Sequence, residues 1–220
     1  SIPYLYLMLV SNDVSLNVSE FLLQIKAIKL QPNDPFTWAS GIISPIYCDN
    51  RKVLSYPKIR TFIRQEMVKV LEDNYGRPDV IAGVATGGIA LGALVAQELG
   101  LPFVYVRSKQ KEHGLSNQIE GYVEEGQSVI VIEDLISTGA SSLNAVDALR
   151  DFGCSIKGMV AIFSYGLAES KENFKKAKCP LVTLASYDSM LTKAIETNYI
   201  TPIDAKLLRD WKKDPKNWLK

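Results

Sequence analysis

The sequence of 220 residues lacks the signatures of several large functional classes. It contains neither Gly-x-x-x-x-Gly-Lys-Ser/Thr nor Gly-x-Gly-x-x-Gly, which argues against a P-loop nucleotidase and a Rossmann dinucleotide site. His113 is the single histidine, so a multi-histidine metal site is excluded. The three cysteines, Cys48, Cys154 and Cys179, lie far apart without metal-ligand spacing. They favour reduced structural thiols and a cytoplasmic protein.

Charge and hydropathy give no indication of a nucleic-acid or membrane partner. The 25 Lys and Arg residues nearly balance 24 Asp and Glu residues and are scattered, which favours neither nucleic acid nor an anionic membrane as a partner. The apolar residues 2–10 are far fewer than the ~20 that a membrane span needs, and they lack the basic flank of a signal peptide. We interpret residues 1–13 as an extension with little functional content, or as a segment that packs against a neighbour.

The remaining chain predicts one α/β domain with an N-terminal appendage. Apolar residues at helical spacing predict a helix within residues 14–30, and residues 35–51, punctuated by Gly and Pro, predict a small hood of short strands. We therefore divide the chain into helices and hood (14–76) and an α/β core (77–220). The core is expected to hold about five mainly parallel strands flanked by helices. The expected strands begin near residues 79, 103, 129, 157 and 181.

Residues 129–142 carry the strongest chemical signal. A β-branched strand ends in Glu133 and Asp134, at the sheet edge where open α/β sheets bind ligands. A loop of small, hydroxyl-bearing residues with Gly139 follows, and a helix begins after it. Backbone N–H groups at such a turn converge on an anion. The pattern predicts a phosphate site beside two carboxylates, although an ordinary turn with an acidic pair is the simpler alternative.

Two other segments are candidates for the same site. Thr86, Gly87 and Gly88 join a strand to a helix and form a second potential anion site, or they serve helix–strand packing. Residues 107–121 are polar and too long for an ordinary turn, so they form a functional loop or a solvated face.

Together these segments resemble a known family. The acidic pair with its Ser-Thr-Gly turn resembles the phosphoribosyl pyrophosphate (PRPP) signature of type I phosphoribosyltransferases, with Glu-Asp in place of Asp-Asp. The hood sequence Ser40-Gly41 to Ser44-Pro45-Ile46-Tyr47 and the Lys111-x-His113-Gly loop are similar to those of orotate phosphoribosyltransferases. The chain departs from that family at Ala39, Gly87 and Ser108, where many or some members have Lys, and lacks a base-binding Arg near residues 164–167.

The resemblance implies transfer of the phosphoribosyl group from PRPP to orotate, with Mg²⁺ carried by PRPP. It assigns catalysis to Lys111, His113 and Asp134, orotate binding to Tyr47 and Ser137, and Asp134 as the one candidate protein ligand of Mg²⁺. The implied pyrophosphate loop is Thr86, Gly87 and Gly88. The implied PRPP contacts are Arg107, Lys109, Lys111, His113, Glu133, Asp134, Leu135, Ile136, Ser137, Thr138, Gly139, Ala140 and Ser141.

The family further implies a homodimer in which Lys111 of one subunit serves the phosphate site of the other. Two alternatives stay open. One is a purine or uracil phosphoribosyltransferase with the same PRPP site, against which the hood and the Lys111 loop argue. The other is a non-catalytic PRPP-sensing regulator, which would be expected to carry a basic nucleic-acid-binding module that neither end of the sequence offers.

Overall fold

A computed structural model describes residues 7–108 and 118–219. Its strands within those ranges are β1 (Leu7–Leu9), β2 (Ile28–Leu30), β3 (Phe36–Thr37), β4 (Ile43–Ser44), β5 (Ile46–Cys48), β6 (Val80–Val84), β7 (Phe103–Val106), β8 (Ile119–Glu120), β9 (Ser128–Ile136), β10 (Ser155–Ser164) and β11 (Leu181–Ser186). Its α-helices there are α1 (Asn12–Gln24), α2 (Pro57–Tyr75), α3 (Gly87–Leu99), α4 (Ala140–Asp151), α5 (Ala168–Lys176), α6 (Tyr187–Glu196) and α7 (Pro202–Lys213), and a 3₁₀ helix covers Asn50–Ser55.

A seven-stranded sheet in the order β1-β11-β10-β9-β6-β7-β8 forms the centre of the molecule. Its first six strands pair in parallel, and β8 is antiparallel to β7. The five predicted strands are therefore confirmed, as is the mainly parallel α/β fold. Two short edge strands extend the sheet beyond them. One edge strand is β1, which pairs with Leu181–Thr183 although it lies in the segment interpreted as an extension.

Strand β9 lies in the middle of the sheet, and its side chains enter two core clusters, one on each face of the sheet. Ile130 and Ile132 belong to the cluster that includes residues of α1, α2, α3 and α6, whereas Val129 and Val131 belong to the cluster that includes residues of α4. Because side chains alternate along a strand, Glu133 continues the α4 side and Asp134 continues the α3 side. The sheet thus directs the two adjacent acids to opposite faces.

The hood consists of two small antiparallel ladders, β2 with β5 and β3 with β4. The helix predicted within residues 14–30 ends at Gln24, and the prediction was wrong for residues 28–30, which form β2. Lys26 adopts a positive φ of 55°, which turns the chain out of the helix so that Ile28 can pair with Cys48. Among the helices of the described ranges, none has both the length and the apolarity that a bilayer crossing requires.

Candidate active site

A cleft of about 380 Å³ opens at the carboxyl ends of β6 and β9. The turn after β6, the turn after β9 and the 3₁₀ helix of the hood surround it. Its lining residues are Cys48, Asp49, Arg51, Ala85, Thr86, Gly87, Glu133, Asp134, Leu135, Ser137, Thr138, Gly139, Ala140, Ser141 and Ser142. The structure therefore brings residues of both predicted anion turns and both acids to one place, although the two segments lie far apart in sequence.

Glu133 is the buried member of the acidic pair and is only 4% exposed. Its Oε1 accepts a hydrogen bond of 2.9 Å from the backbone N–H of Asp134, and its Oε2 accepts one of 2.7 Å from the Ser142 hydroxyl. Burial, and secondarily Asp134, raises the pKa of Glu133 well above its usual range. The side chain thus connects β9 to the first turn of α4, and its predicted contact with PRPP stays a prediction.

Asp134 is the accessible member of the pair. Its carboxylate lies against the Cα of Gly87, where a Cβ would overlap it, and its backbone carbonyl accepts a hydrogen bond of 2.8 Å from Asn50. The two contacts fix the end of β9 between the hood and the turn after β6. Asp134 is consequently the carboxylate that faces the cleft.

The turn after β9 leads directly into α4 and contains hydroxyl-bearing residues that can donate hydrogen bonds. Gly139 adopts φ +82° at the N-terminus of the helix, and the carbonyl of Thr138 accepts a hydrogen bond of 3.0 Å from Asn173. Ser137, Thr138 and Ser141 line the cleft at the helix N-terminus, where the dipole and backbone N–H groups favour an anion. The Ala140 N–H donates to Thr138 Oγ1 at 3.3 Å. The arrangement fits a phosphate group. Ile136, predicted among these contacts, is completely buried.

The turn after β6 is shaped by close packing. A Cβ at Gly88 would overlap the carbonyl oxygen of Ile132, and a Cβ at Gly87 would overlap the Asp134 carboxylate. Gly88 is therefore required by packing against backbone, which is the alternative that the sequence left open, whereas the atoms that a Cβ at Gly87 would meet belong to a side chain that can move. Gly87 and Thr86 line the cleft as well, so their phosphate role stays a prediction.

Residues of the hood that were not predicted complete the cleft. Asn50 is 1% exposed, donates to the Asp134 carbonyl and accepts a hydrogen bond of 3.1 Å from the Cys48 thiol. Burial, with the charges of Asp134 and Asp49, raises the pKa of Cys48, which keeps the thiol protonated as a donor. Arg51 pairs with Asp49 at 2.7 Å. The only sequence signal for this group is the polar run Asp49-Asn50-Arg51 directly after the Ser-Pro-x-Tyr segment.

The remaining predicted residues lie elsewhere. Arg107 follows β7, and its Nε lies 3.2 Å from Glu120 Oε1, outside the lining of the cleft. Tyr47 is 43% exposed and packs on Phe36 with ring centroids 5.7 Å apart, and its neighbour Cys48 faces the cleft instead. The roles of Arg107 and Tyr47 stay predictions. Lys109, Lys111 and His113 fall outside the described residues.

The donor set of the cleft suits Mg²⁺ that arrives with a phosphate substrate. Such ions are held by one or two carboxylates together with substrate phosphates. Asp134 offers an accessible carboxylate, whereas both oxygens of Glu133 already accept hydrogen bonds. In residues 7–108 and 118–219, no group of three or more His, Cys, Asp and Glu side chains is arranged to hold a metal ion.

The chain is similar in sequence and structure to known phosphoribosyltransferases. Residues 52–188 match the phosphoribosyl transferase domain family. The orotate phosphoribosyltransferase of Porphyromonas gingivalis is 55% identical over 201 residues, which cover 91% of this chain and 96% of that protein. The enzyme of that name from Listeria monocytogenes is 53% identical and covers 94% and 99%. The structure of orotate phosphoribosyltransferase from Aeropyrum pernix superposes with a TM-score of 0.72, at 26% identity over 84% of this chain and 99% of that one.

Proposed function

The chain belongs to the orotate phosphoribosyltransferase family, and from that premise we propose that it transfers the 5-phosphoribosyl group of PRPP to orotate. The products are orotidine 5′-monophosphate and pyrophosphate, a step of pyrimidine biosynthesis. The observation that carries the proposal is the convergence of Asp134 and residues 137–142 on one cleft. An accessible carboxylate beside a hydroxyl-rich helix N-terminus suits a ribose phosphate, with hydroxyls at one end and an anion at the other.

The chemistry explains why these groups are needed. Breaking the bond at ribose C1 develops positive charge on the sugar and negative charge on pyrophosphate, as in glycoside cleavage. Asp134 would orient the ribose hydroxyls or hold Mg²⁺, which when bound supplies charge neutralisation at the leaving group. Residues 137–141 would grip the 5′-phosphate, and Ser137 would also reach the base. A general base is not required, because the ring nitrogen of orotate can attack as an anion.

Arg107, Lys109, Lys111 and His113 would contact the pyrophosphate. Cations that close over the leaving group neutralise its charge and exclude water, which could otherwise capture the sugar. Thr86, Gly87 and Gly88 would contribute backbone N–H groups on the opposite side. The assignment of these residues rests on the family resemblance.

A direct assay tests the proposed activity. The protein is incubated with PRPP, Mg²⁺ and one of orotate, uracil, adenine, guanine or hypoxanthine, and loss of the base is followed by absorbance. We expect turnover with orotate and little with the others. Turnover with a purine or uracil alone would assign a different transferase, and PRPP binding without any turnover would indicate a regulator.

The proposal includes a homodimer with shared active sites and a cytoplasmic location. The location is supported by Cys48, Cys154 and Cys179, which are free thiols.

Subunit mixing tests whether the active sites are shared between subunits. Inactive Lys111→Ala chains are exchanged with inactive Asp134→Asn chains. If the loop acts on the other subunit, each hybrid dimer has one site with a native loop and a native pocket, and roughly a quarter of wild-type sites should return. Background activity after confirmed exchange would refute a shared site.

A further inference from the structure

Arg51 is a cleft residue to which the proposed chemistry assigns no role. It lies in the 3₁₀ helix Asn50–Ser55, directly after the hood strand β5, and lines the cleft together with Cys48, Leu135 and Asp134. Among the described residues that line this cleft, Arg51 is the only Lys or Arg. Its side chain is 59% exposed, so it is accessible to a bound molecule.

Asp49 holds the guanidinium in place. Arg51 Nε donates to Asp49 Oδ1 at 2.7 Å and Nη2 donates to Oδ2 at 3.1 Å, which is the two-point geometry of a fixed arginine–carboxylate pair. The hydrogen bond from Arg51 lowers the pKa of Asp49, so the acid stays ionised. Within the described parts of the chain, Nη1 donates to no acceptor. The arginine is therefore oriented by one carboxylate and retains a free donor.

The surroundings of Arg51 indicate which substrate it serves. Arg51 lines the cleft together with Cys48 of the hood and Asp134 of β9, so it lies between the hood and the acidic strand end. The hydrogen bond to Asp49 raises the pKa of Arg51, and the charges of Asp134 and Tyr47 add to the effect, so the guanidinium stays charged. In the proposed function, the phosphate groups of PRPP are bound by backbone N–H groups and hydroxyls of the turns after β6 and β9. By the family resemblance, the positions at which many members carry a base-contacting Lys and some a base-binding Arg are residue 39 and residues 164–167. In this sequence residue 39 is Ala and residues 164–167 contain no Lys or Arg.

We propose that Arg51 binds the carboxylate of orotate and so selects orotate over bases that lack this group. The inference rests on the proposed function and adds to it the residue that recognises the base. An arginine suits a carboxylate because its planar fork of donors matches the two oxygens. Asp49 is the positioning residue of the pair.

Kinetics and product binding of Arg51→Gln, Arg51→Lys and a control test the proposal. The control is Lys52→Gln, because Lys52 is the adjacent cation, lies outside the cleft and donates only to the Lys26 carbonyl among described residues. We expect Arg51→Gln to raise KM for orotate by about 10- to 100-fold, as for loss of a charge-assisted hydrogen bond, and KM for PRPP by less than about twofold. Arg51→Lys should be intermediate, and Lys52→Gln should match the wild type.

Calorimetry separates recognition from turnover. Wild-type protein should bind orotidine 5′-monophosphate more tightly than uridine 5′-monophosphate, which differs only by the carboxylate, and Arg51→Gln should lose that preference while its Tm stays near the wild-type value. A preserved preference with a raised KM for PRPP would assign Arg51 to pyrophosphate and overturn the proposal. Wild-type kinetics in Arg51→Gln would also overturn the proposal, because the Arg51–Asp49 pair would then be a surface ion pair without a role in orotate binding. Wild-type protein that makes no orotidine 5′-monophosphate at all would instead refute the proposed function.

Discussion

The two strand-to-helix turns of the cleft have the same outline and different construction. The turn between β6 and α3 contains glycines at close contacts. Gly88 is needed there because a Cβ at this position would overlap the Ile132 carbonyl. The turn between β9 and α4 carries hydroxyls, and its glycine is needed for a φ of +82°. The first turn lets two segments pack closely together, and the second brings hydroxyl groups to the lining of the cleft. Glycine in the two strand-to-helix turns therefore has two different physical causes, close packing in the first and a positive φ in the second.

The largest expected effect is on folding and comes from the first turn. Gly88→Ala places a methyl group on backbone atoms of the central strand, which cannot move aside. We expect a loss of about 3 kcal/mol or more in the free energy of unfolding, at the upper end of overpacking costs. Urea denaturation measures it. Gly100→Ala is the matched control, because no atom lies within 4 Å of its Cβ position, and its positive φ alone should cost roughly 1–2 kcal/mol. Equal losses in the two variants would contradict the packing argument.

The next effect is on turnover and concerns the acid between the two turns. Asp134→Asn removes charge from the accessible carboxylate while its backbone contact with Asn50 remains. We expect kcat to fall by about 100-fold, as when one preorganised electrostatic contact is removed, with Tm nearly unchanged. Asp151→Asn, at the exposed end of α4, serves as the control. Unchanged kinetics in Asp134→Asn would remove this residue from the site.

A smaller effect is expected from the second turn. Gly139→Ala introduces strain of roughly 1–2 kcal/mol at a positive φ, and its Cβ would lie 2.6 Å from the Phe174 ring rather than toward the cleft. Because the turn must shift, we expect PRPP affinity in calorimetry to fall by about tenfold, equivalent to 1.4 kcal/mol. Adding Phe174→Leu should restore part of the stability by removing the ring contact. Wild-type PRPP affinity would place the phosphate site elsewhere.

Sequence patterns predicted the parts of the molecule that local chemistry determines. The five core strands are runs of β-branched or apolar residues, and the acidic pair at the end of β9 lies where parallel sheets bind ligands. The alternation of Glu133 and Asp134 follows from the strand period alone. These features need no knowledge of distant contacts, and the structure places them as expected.

Features that depend on distant partners were not predictable in the same way. Asn50 reaches the Asp134 carbonyl across 84 positions of sequence, and no periodicity signals such a bond. The need for Gly88 arises from Ile132 on another strand. Lys26 ends α1 through a left-handed conformation that apolar spacing does not reveal. Local patterns thus indicated which segments line the candidate cleft, whereas the contacts that hold its turns together became visible only in the folded structure.

The smallest expected effect concerns the acid that attaches the second turn to its strand. Because burial raises the pKa of Glu133 in the folded protein, the folded state keeps a proton that the unfolded chain loses above about pH 4.3. Ionisation of the unfolded chain therefore destabilises the fold progressively as pH rises from about 4 toward the folded pKa. Glu133→Gln removes this effect and can still accept from the Asp134 N–H and donate to Ser142.

We therefore expect Glu133→Gln to raise Tm at pH 8 by about 2–4 °C, equivalent to about 1 kcal/mol in a chain of this size, and the gain to vanish toward pH 4. Asp79→Asn is a control of opposite sign, because hydrogen bonds from Ser128 lower the pKa of Asp79. That variant should lose stability at neutral pH and approach the wild type in acid. If Glu133→Gln instead lowers Tm at every pH, the Glu133 carboxylate is ionised in the folded protein, and its two hydrogen bonds hold the second turn by charge as well as by geometry.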